Sequence, residues 1–280
     1  MNFLNKYIGV INNKNEKVLS VFLTAGFPGR ESFVDTAKGI LDAGADMLEI
    51  GIPFSDPLAD GPIIQLSSKA ALDNGINIKD CLKYAGILSA YTSKPLIFMG
   101  YGNPVKKYGV EQFMRDSSNA GISGVIIPDV PLEEYSSFYN YQSEGNDPLQ
   151  KNNNELLLAQ YELPRRLPDI ILLTTPTSTE ERIKRIDSKS RGFVYCVSIT
   201  GTTGVNEGFT EENYSNLQRT RSLINNKMLI GFGISKPDDI KRFSPYCDGV
   251  IVGSTIIKSL MNSFDSNSTF KLVSELKNAC

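Results

Sequence analysis

Short apolar runs rich in Val, Ile and Leu alternate with longer stretches of helical period along the whole chain, and that alternation most limits the fold. Eight runs have strand character: residues 18–24, 47–51, 95–99 and 124–127, then 170–174, 192–197, 227–232 and 248–252. Continuous apolar runs of this length suit parallel strands that are covered on both faces. Helical periodicity fills the gaps at 32–42, 79–89, 110–119, 179–186 and 210–224. Cap chemistry opens two helical segments, Ser178-Thr179-Glu180-Glu181 and Ser235-Lys236-Pro237-Asp238. Ala43-Gly44 and Ala120-Gly121 close two others, as a left-handed C-cap requires. Eight βα units without a second core predict a closed (β/α)8 barrel of the TIM type, with a doubly wound sheet as the alternative. The 280 residues suit one such domain, which typically needs ~250. An extra N-terminal helix is expected before the first strand.

Two segments break the rhythm. Residues 139–154 are polar, Asn-rich and aperiodic, which predicts a mobile surface insertion in the fourth helical unit. A helix is expected to resume over 156–163, before Pro164. Residues 198–209 place Gly201, Gly204 and Gly208 among threonines after the sixth strand. That stretch is either a solvated loop or a lid, since it leaves a strand at the face where barrel active sites form.

Composition removes several chemistries. The chain has no histidine, which excludes Ser-His-Asp and Cys-His catalysis and histidine-bound metals. Cys81, Cys196, Cys247 and Cys280 are widely separated, without metal-ligand spacing, and are expected to be plain thiols. A net charge of −2 provides no basic field for nucleic acid. No apolar run nears the ~20 residues of a membrane span, and the start lacks a secretory h-region. The expectation is a soluble protein of the cytoplasm, or of the plastid stroma if organelle-encoded.

Acid–base chemistry is left to Asp, Glu, Tyr, Lys or Cys. Glu49 lies inside the apolar run Asp46-Met47-Leu48-Glu49-Ile50-Gly51-Ile52-Pro53. A carboxylate facing a barrel interior is costly unless paired. Glu49 is therefore either a buried carboxylate satisfied by Thr or Tyr hydroxyls, or a general acid/base whose pKa desolvation raises. Asp60 stands just before a helix entry at Gly61-Pro62, as an N-cap or as a second functional carboxylate. Gly231-Phe232-Gly233-Ile234-Ser235 and Val252-Gly253-Ser254-Thr255 end the seventh and eighth strands. Barrels commonly seat phosphate at these two loops.

The stretch Leu48-Glu49-Ile50-Gly51-Ile52-Pro53-Phe54-Ser55-Asp56-Pro57-Leu58-Ala59-Asp60-Gly61-Pro62 resembles the signature of the tryptophan synthase alpha chain family. Further matches are Phe22-Leu23-Thr24-Ala25-Gly26, Gly102-Asn103-Pro104, Pro128-Asp129-Val130-Pro131-Leu132-Glu133-Glu134, Thr200-Gly201-Thr202-Thr203-Gly204 and the loop after the seventh strand. They follow the family's order over nearly the whole chain, and only the 139–154 insertion departs clearly. Gly100 and Gly102 flank Tyr101 where the family often has bulkier residues, which predicts a looser pocket or partner contact there.

The resemblance implies a lyase that cleaves indole-3-glycerol phosphate to indole and glyceraldehyde 3-phosphate by a retro-aldol step. Glu49 would take the proton from the glycerol hydroxyl next to the ring and help deliver one to indole C3. Asp60 would hold the indole N–H. Phe22, Ile64, Ile126 and Tyr195 would wall the indole slot, with Tyr195 also orienting Glu49. Gly204, Phe232, Gly233, Gly253 and Ser254 would clamp the phosphate, and Thr203 would touch Asp60 on lid closure. Pro53, Asp56, Pro57 and Asn103 would face a tryptophan synthase beta chain in an alpha2-beta2 heterotetramer. Pyridoxal phosphate belongs to that partner; no cofactor and no metal are implied for this chain. The alternatives are a stand-alone indole-glycerol-phosphate lyase, a catalytically silent barrel that only activates a partner, and another phosphate-binding barrel such as a sugar-phosphate isomerase.

Overall fold

The computed structural model describes residues 3–139, 167–198, 210–231, 233–262 and 266–280. Its strands are β1 (Val18–Thr24), β2 (Met47–Gly51), β3 (Leu96–Met99), β4 (Gly124–Ile126), β5 (Asp169–Thr174), β6 (Val194–Val197), β7 (Met228–Gly231) and β8 (Gly249–Val252). All neighbours pair in parallel, and β8 closes onto β1, so the expected barrel forms and the open doubly wound sheet is excluded. Each strand is buried almost throughout, since the barrel core lies on one side and helices on the other.

The helical segments read from the sequence all form: Phe33–Asp42, Ile78–Tyr91, Val110–Asn119, Glu180–Lys189 and Glu211–Leu223. Thr179 caps its helix by accepting the Arg182 N–H at 3.3 Å. At Pro237–Phe243 the cap is a carboxylate reaching back, with Asp239 accepting the N–H groups of Ser235 and Lys236 at 3.0 and 3.1 Å. Gly44 and Gly121 have the positive φ that their helix ends demand.

The expected N-terminal helix, Phe3–Asn12, covers the end of the barrel away from the strand C-termini. Leu4 is fully buried against the bare backbones of Gly124 and Gly192, and Asn12 donates to the Asp248 carbonyl at 2.9 Å. Two aspartates stitch the same end. Asp46 accepts the Leu19 N–H at 2.8 Å and pairs with Lys277 at 3.0 Å. Asp248 accepts the Met228 N–H at 2.9 Å and pairs with Lys227 at 3.0 Å. Charges are thus matched at the closed end, which leaves the opposite mouth to carry chemistry.

Among the described residues no helix is long and apolar enough to cross a membrane. The anticipated insertion over 139–154 lies outside the described residues except Tyr139, which is buried. The resumed helix over 156–163 and the lid, apart from Ser198, also lie outside them.

Candidate active site

At the strand C-termini a small cavity of about 50 Å³ opens to solvent. Glu49, Asp60, Phe22, Ile64 and Tyr195 line it, together with Gly233, Gly253 and Ser254. The sequence-predicted carboxylates and the predicted anion seat therefore share one chamber.

Glu49 sits in β2 opposite Phe22 of β1, and its side chain is completely buried. Ser20 Oγ donates to Glu49 Oε1 at 2.9 Å, whereas Oε2 has no hydrogen-bond partner among the described residues. Among the described residues this buried carboxylate is served by one hydroxyl and is half-satisfied, which favours a functional role over a fully paired structural one. Burial pushes its pKa from 4.5 up to about 7, and the Ser20 hydroxyl holds it back.

Asp60 is not a helix cap. The helix Pro62–Asp73 has Gly61 as its N-cap in extended backbone, with Pro62 at its first position and no side-chain cap bond, since glycine has no side chain to accept one. Asp60 is instead fixed by its main chain: its N–H donates to the Pro57 carbonyl at 3.0 Å, and its carbonyl accepts Gln65 Nε2 at 2.8 Å. The residue lines the chamber. Burial raises its pKa from 3.8 to about 6, and hydrogen bonding by the Tyr101 hydroxyl draws it down. Tyr101 also accepts the Ala59 N–H at 3.2 Å, so it holds the loop that carries Asp60.

The aromatic walls depend on glycines. A Cβ on Gly51 would overlap the Phe22 ring, and one on Gly231 would overlap the Tyr195 hydroxyl and ring. Burial raises the Tyr195 pKa well above its ordinary range, and the Glu49 and Asp60 carboxylates add to that rise. The phenol is consequently a neutral group beside both acids. Gly231→Ala is expected to displace Tyr195 and lower kcat/KM for the site's reaction by about 10–100-fold. Overpacking should also cost about 1–3 kcal/mol. Steady-state kinetics beside thermal unfolding measures both, and an unchanged kcat/KM would show that Tyr195 placement is irrelevant.

In the same lining, Gly233 takes φ +75°, and Gly253 leads into the helix Ser254–Asn262. The first N–H groups of that helix have no intrahelical acceptor and, with the Ser254 hydroxyl, are donors of the kind that receive anions at helix N-termini. No Lys or Arg lines the chamber among the described residues. An anion there is held by peptide dipoles and hydroxyls.

Several expectations require adjustment. Ile126 is fully buried and does not line the cavity; its β3 neighbour Met99 does. Gly100 and Gly102 do not loosen the region. A Cβ at either would press within 3.1–3.2 Å of Ile52 or Val130, so these walls close tightly over bare backbone. On the expected docking face Asp56 and Asn103 are exposed and Pro57 is half-buried, but Pro53 is buried in the fold and offers no contact surface. Leu58, 78% exposed, joins that face instead. Thr203, Gly204 and Phe232 lie outside the described residues. Sequence reading missed Ser20, Met99, Tyr101, Ile234 and Ile251. Ser20 was findable: it is a polar residue in an apolar strand, two positions before Phe22 and so on the same face.

The family profile described as "Tryptophan synthase alpha chain" matches residues 9–148 and 160–279. The tryptophan synthase alpha chain of Petrotoga mobilis is 39% identical over 265 residues, covering 94% of this chain and 93% of the relative. That of Caldanaerobacter subterraneus subsp. tengcongensis is 38% identical over 275 residues, covering 98% and 97%. Among solved structures, tryptophan synthase subunit alpha from Legionella pneumophila aligns with a TM-score of 0.83 at 28% identity, over 100% of this chain and 98% of that one. A chain of Mycobacterium tuberculosis tryptophan synthase aligns with a TM-score of 0.84 at 28% identity, covering 99% and 98%. Sequence likeness that runs from end to end thus coincides with a closed eight-stranded barrel whose mouth brings Glu49 and Asp60 together with Gly233, Gly253 and Ser254, and the chain belongs to the tryptophan synthase alpha chain family.

Proposed function

We propose that Glu49 and Asp60 carry out the family's alpha reaction, the cleavage of indole-3-glycerol phosphate to indole and glyceraldehyde 3-phosphate. The chain is the lyase subunit of tryptophan synthase. The observation that carries the residue assignment is the shared chamber: completely buried Glu49 and partly buried Asp60, both with raised pKa values, line it together with Gly233, Gly253 and Ser254. The substrate's phosphate would take the amide seat, and its indole ring would lie among Phe22, Ile64, Met99 and Tyr195. Glu49, once ionised, accepts the proton of the glycerol hydroxyl next to the ring. Glu49 passes a proton on to indole C3 and so returns to its ionised form, the bond between C3 and the glycerol carbon breaks with its electron pair returning to the ring, and that carbon leaves as an aldehyde. Asp60 accepts the indole N–H hydrogen bond and stabilises the positive charge that C3 protonation places on the ring. The two carboxyls occupy different settings, one completely buried and one at the mouth, and such a difference separates their roles.

A beta-chain partner follows from the family. We assign its docking to the exposed Asp56, Leu58 and Asn103 beside half-buried Pro57, next to the chamber mouth, in an alpha2-beta2 assembly. Pyridoxal phosphate is assigned to the partner, because the reaction here uses only acid–base groups of this chain.

The test is indole release from indole-3-glycerol phosphate by purified protein, alone and with a beta subunit. Indole and glyceraldehyde 3-phosphate should form in equal amounts in both arms. Activity in neither arm would overturn the assignment, and failure to form a stoichiometric complex would favour the stand-alone lyase.

A further inference from the structure

The hydrogen bond between β1 and β2 inside the barrel has a consequence for the proton chemistry of Glu49. Ser20 and Glu49 are both completely buried, and the bond from Ser20 Oγ to Oε1 is 2.9 Å. The strand register fixes their relation: Phe22 stands opposite Glu49, and Ser20 lies two residues earlier on the same face. Glu49 lines the chamber while its Oε2 has no partner among the described residues, so one oxygen is tethered and the other faces the space for substrate. Of the side chains that could serve here, a hydroxyl has a particular property. It donates to a carboxylate, and by rotating it accepts from a carboxylic acid.

We propose that Ser20 is a positioning residue for Glu49, holding Oε1 so that Oε2 meets the substrate and staying bonded through both protonation states of the carboxyl. This rests on the assignment of Glu49 as the group that exchanges protons with substrate. The other titratable groups facing the chamber are Asp60 at its mouth and Tyr195 on β6, while β3, Leu96–Met99, contributes none. Neither of them is supplied by β1, so removing the Ser20 hydroxyl isolates its effect.

The experiment compares wild type with Ser20→Ala in two ways. Carbon-13 labelling of glutamate with NMR titration follows the Glu49 carboxyl directly, with Glu49→Gln identifying its resonance. The pH profile of kcat follows its use. In Ser20→Ala the titration midpoint should move upward by about one unit, the size that loss of a hydrogen bond to a charged group commands. The acidic limb of kcat should move with it. At pH 7, where about half of the wild-type carboxyl is ionised, kcat should fall about fivefold with KM changed less than twofold.

An unmoved midpoint, or a loss of kcat that is equal at every pH, would overturn the proposal and leave Ser20 a packing residue. Should alanine prove too small for the barrel, Ser20→Cys keeps the volume with a much weaker donor, and the same upward shift is required. The two readings fail separately. Wild-type turnover in Glu49→Gln would refute the base assignment, whereas the NMR midpoint would still report what Ser20 does to the carboxyl.

Discussion

Glu49→Gln should bind indole-3-glycerol phosphate with an affinity close to wild type and release indole about a thousandfold more slowly. The amide keeps the shape of the side chain and can still accept from Ser20, so the chamber and the anion seat persist. What disappears is proton transfer, and a positioned acid–base group typically contributes ~10²–10⁴-fold. In wild type, the rate should rise with pH through about 7, because Glu49 must be ionised to take the hydroxyl proton. Glu49→Gln should lose that limb. Single-turnover indole release over pH 5–9, roughly the range that brackets this group, measures both effects. Turnover near that of wild type would refute the role.

The same substitution reaches stability through the same burial. The Glu49 pKa is raised on folding, from 4.5 to about 7, so the native state holds a proton that the unfolded chain has lost across that window. Native stability therefore falls as pH rises from the lower value to the upper, and the penalty is complete above it. Glu49→Gln lifts the penalty and should be more stable than wild type at pH 8, by at most about 3 kcal/mol. The advantage should vanish at low pH, where the wild-type carboxyl is neutral in both states.

Asp60→Ala should lower kcat by about 10²–10³-fold while weakening substrate binding much less. Its proposed contribution is electrostatic and is largest when the ring carries charge, so the loss falls on the transition state rather than on binding. Asp60 is anchored by main-chain bonds to Pro57 and Gln65 that survive truncation. The loop should therefore keep its course. Residual activity should retain the pH limb of Glu49, since that carboxyl remains buried and tethered. If KM rose a thousandfold with kcat intact, Asp60 would be a binding residue and the division of roles would be wrong.

The barrel was legible because its strands are buried on both faces, and such strands announce themselves as unbroken apolar runs. β1 and β2 have the predicted limits, and the others differ by a residue or two at their ends. Glu49 was legible for the same reason, as a charge where the pattern allows none. Asp60 was visible as a residue but not as a geometry: the extended Gly61 and the N–H-less Pro62 take over the helix start, which a local propensity argument gives to the acid. Depth was harder to read than face. Ile126 and Met99 are register partners in adjacent strands, and only the curvature of the closed sheet decides which one borders the cavity. Pro53 shows the same limit, since a motif places it beside the mouth but only packing buries it. The face of Ser20 was readable, but its bond to Glu49 across two strands and that of Tyr101 to the Ala59 loop are long-range contacts that no local window contains.

The central claim is a geometry, two acids on a ring whose phosphate is held by peptide amides across the same chamber. A crystal structure of Glu49→Gln soaked with indole-3-glycerol phosphate tests it most directly. The phosphate should lie against Gly233, Gly253 and Ser254, with the indole N–H on the Asp60 carboxylate and the glycerol hydroxyl beside Gln at position 49. A phosphate seated elsewhere, or a ring turned so that its nitrogen faces away from Asp60, would contradict the account.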